Sequence, residues 1–284
     1  MSRDDLARRA VRAAARVRTE LGVGPAEGVC PFDLAAGLDV LARIVSLPTL
    51  EGVYSPEPTP TIVVSSERPV GRRRFTCAHE LGHHVFGHGT RLEDLPEEAT
   101  RSWSSEEYLA QRFAAALMMP KLAVESAFAR REWTAAQASP ESVFIVAQEL
   151  GVGFSTLIGH LERTMNALSE SAADRLRQSR LGNLRNRLAG FDVAHDLVVL
   201  DRHWAHRTVD IEVGDIVIVP TSAVFEGGCA TVRGQPVQHL VAERTGIGNL
   251  AIDPQGQGRS VRVSRRGFTD LARYRYLEEV ADDE

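Results

Sequence analysis

One short run of this 284-residue chain holds residues whose types and spacing could do chemistry. The segment Phe75-Thr76-Cys77-Ala78-His79-Glu80-Leu81-Gly82-His83-His84 contains H-E-x-x-H, filled by His79, Glu80 and His83. On a helix, residues four apart share one face. Two imidazoles so placed can grip one zinc ion, and the glutamate beside them can reach a water on that metal. Zinc lowers the pKa of such a water toward ~7, and the carboxylate takes its proton as it attacks a carbonyl. The pattern predicts a zinc-dependent peptidase. It requires a helix, and Phe75, Ala78, Leu81, Val85 and Phe86 have amphipathic spacing, with Gly87 and Gly89 able to end it. Gly82 weakens that helix by ~1 kcal/mol relative to alanine, which is tolerable where a second helix must approach the metal closely.

A third ligand must come from elsewhere. The metzincin pattern needs a glycine and then a third histidine further along, where this chain has Phe86 and Gly89, so that form fails. His88 falls one residue early, and His84 points about 100° away from His83. A second strong helix runs from Ser104 toward Pro120, with Glu107, Ala110, Ala114 and Leu117 on one face. Glu107 can turn inward onto a metal. Alternatively, Ser104-x-x-Glu107 is a capping box and Glu107 only caps the helix, which makes Glu106 or Glu98 the next candidate.

Together, Phe75-Thr76-x-Ala78-His79-Glu80-Leu81-Gly82-His83 and Glu107-x-x-Ala110-x-x-Phe113-Ala114-x-x-Leu117-Met118-Met119-Pro120 resemble the ImmA/IrrE family of bacterial metallopeptidases. The resemblance spans roughly residues 5–165. It implies His79, His83 and Glu107 as metal ligands, Glu80 as catalytic base, and one Zn2+ per chain, with Mn2+ able to substitute. Gln111 departs from the family's asparagine at that place. The resemblance further implies a partner substrate, a repressor of the Xre helix-turn-helix type, whose cleavage relieves repression after stress or in mobile elements.

Composition sets wider bounds. A net charge of −5 and a pI near 6.0 argue against a generally DNA-coating surface. Three widely spaced cysteines, Cys30, Cys77 and Cys229, fit free thiols in a reducing cytosol. Cys77 lies on the far side of the helix from His79 and is not counted as a ligand. No 18-residue apolar run and no leader-like segment occur, so a cytoplasmic protein without a membrane span is expected.

The expected fold class is α+β. It comprises a zincin-like metallopeptidase domain over 1–138, a helix-turn-helix-like module over 139–168, a helical linker over 169–190 and a mainly-β domain over 191–284. Residues 3–22 read as a helix whose Arg8, Arg9, Arg12, Arg16 and Arg18 form a solvated face rather than a nucleic-acid surface. Strand-like pieces follow at 42–47 and 61–65. Between them, 52–56 resembles an edge strand or loop that could hold a substrate backbone, with Tyr54 lining the groove or simply packed. Residues 89–104 read as a loop over the cleft, with Trp103 beneath it. The 139–168 module has Pro140 at a helix start and Gly151-Val152-Gly153 at its turn. Its second helix offers one arginine and one glutamate, so a packing or partner-docking role is favoured over DNA binding. Beyond Phe191, short strands at 197–200, 209–213, 215–219, 237–241 and 261–263 suggest a sandwich or barrel, closed by a helix over 268–280. His195, His203, His206 and His239 lack metal-ligand spacing. The competing reading is a non-catalytic, zinc-stabilised regulator that binds DNA or an antitoxin-like partner.

Overall fold

The computed structural model describes residues 2–94, 104–252 and 258–277, and it is an α+β structure. Nine α-helices are described: α1 (Arg3–Glu20), α2 (Pro31–Gly37), α3 (Val70–Phe86), α4 (Ser105–Met118), α5 (Lys121–Ala129), α6 (Pro140–Leu150), α7 (Phe154–Arg163), α8 (Glu170–Arg177) and α9 (Leu181–Ala189). The first strands are β1 (Leu41–Val45), β2 (Leu50–Ser55), β3 (Thr61–Ser65) and β4 (Arg91–Asp94). Later come β5 (Leu197–Val199), β6 (Thr208–Glu212), β7 (Ile216–Ile218), β8 (Val224–Glu226), β9 (Ala230–Arg233), β10 (His239–Ala242), β11 (Gly246–Ala251), β12 (Arg259–Ser264) and β13 (Asp270–Leu271).

Local chemistry explains the main helices. Ser2 and Asp5 form a reciprocal capping box on α1, and Leu6, Ala10, Ala13, Ala14 and Val17 bury one of its faces. The Ser104 hydroxyl accepts the Glu107 N–H at the start of α4. At the end of α3, Gly87 takes the left-handed conformation (φ 69°), and the His88 N–H returns to the His83 carbonyl. Helix α4 is the central packing element, with α1 against one side and α3 against another. Leu109, Phe113, Ala114, Leu117 and Met118 are buried there.

The first sheet has the order β13-β1-β3-β2-β4, with β1 and β3 parallel and the remaining pairs antiparallel. Helix α3 packs on β2 and β3. Two four-stranded sheets, β5-β7-β10-β9 and β6-β12-β11-β8, lie in the C-terminal part. Their buried side chains, including Val198, Val217, Leu240, Val261 and Val263, form a second hydrophobic cluster with Trp204 from the connection between β5 and β6.

Several expectations are corrected. Residues 52–56 are not at an edge: β2 lies between β3 and β4, and Tyr54 is only 2% exposed. The segment 89–104 contains β4, and its Glu98 and Trp103 lie outside the described residues. Helix α5, just beyond Pro120, was not foreseen in the sequence. The stretch 169–190 is two helices, because Ser179-Arg180 interrupts the pattern. No helix spans 268–277. Pairing with β1 draws Asp270–Leu271 into a strand, and a 3-10 turn follows at Ala272–Tyr274. Arg18 is buried, not solvated, and donates to the carbonyls of Leu117, Gly24 and Glu27. Among the described residues, no single helix is long and apolar enough to cross a membrane.

Ion pairs tie the start of α3 to the C-terminal sheets. Arg73 pairs with Glu212, and both side chains are buried. Arg74 reaches Asp210 at 3.3 Å, Arg262 donates to the same carboxylate at 2.8 Å, and Arg275 bonds Asp33 of α2 at 3.2 Å. Burial pushes the Asp210 carboxyl upward, but the Arg74 and Arg262 guanidiniums win and hold it well below the usual range. A buried pair broken on one side leaves an uncompensated charge. Arg73→Met should therefore destabilise the protein by about 3 kcal/mol, near the low end for such breaks because Arg266 still reaches Glu212 at 3.3 Å. Urea unfolding measures this. Adding Glu212→Leu to Arg73→Met should recover part of the loss, and a single-variant loss under about 1 kcal/mol would contradict the importance given to the pair.

Candidate metal centre

Helix geometry places His79 and His83 one turn apart on the buried side of α3. Their Nε2 atoms are 3.1 Å apart. From α4, Glu107 brings Oε2 to 3.2 Å from His79 Nε2 and Oε1 to 3.5 Å from His83 Nε2. Ligands on one tetrahedral ion, with bonds of ~2.0–2.1 Å, stand about 3.3 Å from one another. The three side chains therefore have the donor types and the spacing of a zinc site. Both histidines are buried, while the Glu107 side chain is 36% exposed and gives the cluster its open side. Hydrogen bonds from His79 and then His83 hold the Glu107 carboxyl well below the usual range, so it is an anion facing the two rings. Its backbone N–H meanwhile satisfies the Ser104 cap. Capping by the main chain and metal-facing by the side chain are thus compatible at this residue.

Two glycines make the arrangement possible. A Cβ on Gly82 would lie 3.0 Å from Ala110 Cα and 3.2 Å from the Ala110 carbonyl oxygen. The backbones of α3 and α4 meet there, one turn beyond Glu107, as the sequence suggested for this glycine. Gly52 does the same on the other side of α3. A Cβ there would fall 2.5 Å from Thr76 Cγ2 and 3.1 Å from Glu80 Oε1. Strand β2 therefore presses directly on Glu80, which is fully buried.

Neighbouring side chains orient the cluster. His88 Nδ1 is 2.9 Å from His83 Nδ1, a contact of the kind that fixes the tautomer of a ligating imidazole. Sequence spacing set His88 aside because it falls one residue early for a third histidine ligand. The left-handed turn at Gly87 folds it back, and the glycine is the signal that could have found it. Tyr54 bonds His84 Nδ1 at 3.0 Å, away from the three converging groups. Glu106 is not part of the converging set among the described residues. Cys77 is buried, which raises its thiol pKa well above the usual value.

Gly82→Ala should weaken zinc binding at least about 10-fold, because the new methyl pushes α4 and Glu107 outward. Helix content should persist, since alanine itself favours α3 by ~1 kcal/mol. Competition with a chromophoric chelator, beside circular dichroism, measures both. Unchanged affinity with raised thermal stability would show that the close approach is not required.

Part of the chain is similar to a known family. No curated protein matches the chain. One solved structure, titled "Mycobacterium tuberculosis transcriptional regulator", is 19% identical, with a TM-score of 0.37. The match covers 55% of this chain and 46% of that one, so the chain spans under half of that protein's length. Residues 35–161 match the Peptidase_M78 family model, described as the IrrE N-terminal-like domain. That span includes α3 and α4, so the helices that bring His79, His83 and Glu107 together lie within the stretch that is similar to this peptidase-type domain.

Proposed function

We propose that the chain is a zinc-dependent endopeptidase in which His79, His83 and Glu107 hold the ion and Glu80 is the general base. The observation that carries this reading is the convergence of two α3 imidazoles and one α4 carboxylate at ligand spacing. Three protein ligands leave one position open, which suits catalysis better than a closed structural site. Bound zinc supplies a Lewis acid and an acidified water at that position. Glu80, next to His79 on α3, takes the water's proton on its carboxylate and later delivers it to the leaving amine. Burial of Glu80 against Gly52 fixes the carboxylate in one place, and His88 holds the His83 ring. The substrate backbone pairs with β4, the outermost strand on that side among the described residues.

The proposed substrate is a partner repressor of the Xre helix-turn-helix type, which the family resemblance suggests. Binding energy from outside the cleft makes the cut selective. DNA binding by the 139–168 module is not favoured. Helix α7 buries Phe154, Leu157, Ile158, His160 and Leu161 and exposes only Ser155 and Arg163.

Glu80→Gln should keep one zinc per chain and lose about 10²- to 10⁴-fold in cleavage rate. Zinc content by mass spectrometry and the rate on a partner repressor measure the two effects. Normal cleavage by this variant would exclude the mechanism. The unaltered protein, mixed with the repressor and zinc or manganese, should give a single cut and leave casein largely intact. Broad casein digestion would contradict a dedicated partner, and an intact repressor under both metals would favour a non-catalytic regulator.

A further inference from the structure

A cavity lies on a side of α4 other than the one that carries Glu107 toward His79 and His83. It has a volume of about 450 Å³ and opens between α1, α4 and α7. Ala15, Ala115, Ala116, Met119, Leu122 and Met165 supply its apolar walls. At its rim Val11 and Leu122 are 51% and 50% exposed, among the few large apolar side chains that face solvent.

The charged side chains of this cavity all have one sign. Arg18, Arg112 and Lys121 line it, and no Asp or Glu does among the described residues. Arg112 donates to the Thr164 hydroxyl at 2.9 Å, a neutral partner. Arg18 spends its guanidinium on backbone carbonyls. His160 also lines the space and is buried, and its Nδ1 lacks a hydrogen-bond partner among the described residues. Burial, helped by the Arg112 charge, lowers the His160 pKa to about 4, so the ring is neutral at pH 7 and the positive charge comes from Arg18, Arg112 and Lys121. Arginine charge in a half-buried apolar setting is only weakly screened and is compensated best by a bound anion.

We propose that this cavity binds a small amphipathic carboxylate, with its head on Arg112 and Thr164 and its apolar body between α1 and α4. Charge complementarity selects an anion, and the walls select an unbranched or flat hydrocarbon portion. Glu107 lies on the same helix as Arg112, so occupancy stiffens the element that presents the carboxylate to His79 and His83. The site is independent of the peptidase reading.

Titration calorimetry of the full chain with decanoate tests this. Saturable one-site binding is expected, with decanol at least 10-fold weaker. Arg112→Gln should weaken decanoate at least 10-fold while zinc uptake stays unchanged. Filling the space with Ala116→Trp should abolish binding of both probes. The acid-against-alcohol comparison uses the unaltered protein and stands even if a variant folds poorly. No saturable decanoate binding, or decanol binding as tightly as decanoate, would overturn the proposal. The second of these outcomes would mark the cavity as a purely apolar pocket.

Discussion

The close approach of α3 and α4 at Gly82 governs the converging cluster. Gly82 lets the two backbones meet at Ala110, and that distance brings a carboxylate from one helix to two imidazoles on the other. Neither helix alone has a ligand set. Two histidines hold a metal weakly and a lone glutamate does not select one, so function depends on tertiary packing. The same packing buries Leu81, Phe113 and Leu117, each fully. Apolar burial of this kind, at roughly 25 cal/mol per Å², fixes the helix pair without any help from the metal. The site is thus prepared in the folded chain.

Around that helix pair the supports are polar and specific. Strand β2 presses on Glu80 through Gly52, and the turn at Gly87 returns His88 to His83. The start of α3 is anchored by Arg73 and Arg74 to Glu212 and Asp210 of β6. Strand β13 pairs with β1 and so completes the sheet under α3 from the far end of the sequence. The C-terminal sheets therefore touch the helix that carries His79, Glu80 and His83.

Some of this was legible in the residues and some was not. Helical period alone puts His79 and His83 on one face, and Gly82 already hinted at a close neighbour. The position of Glu107 stayed open until the resemblance was considered, because a capping box and a ligand share the same spacing. In the structure the Glu107 N–H bonds the Ser104 hydroxyl while its carboxylate faces His79 and His83. His88 and Gly52 were missed because their roles come from a turn and from strand packing, which periodicity does not encode. Tyr54 was placed at an edge because β4 is short and lies in a turn-rich acidic stretch. The C-terminal closing segment read as a helix from its composition, yet pairing with β1 made it a strand. Strand β11 went unseen because Gly246 and Gly248 break its apolar alternation.

X-ray absorption at the zinc edge of the metal-loaded protein addresses the ligand set directly. The expected first shell has two imidazole nitrogens and carboxylate oxygen at ~2.0–2.2 Å, with one further light atom and no sulfur. In Glu107→Gln the same spectrum should lose the carboxylate contribution and keep both imidazoles. A spectrum with three or four imidazoles, a sulfur at ~2.3 Å, or no change on altering Glu107 would contradict a centre built from His79, His83 and Glu107.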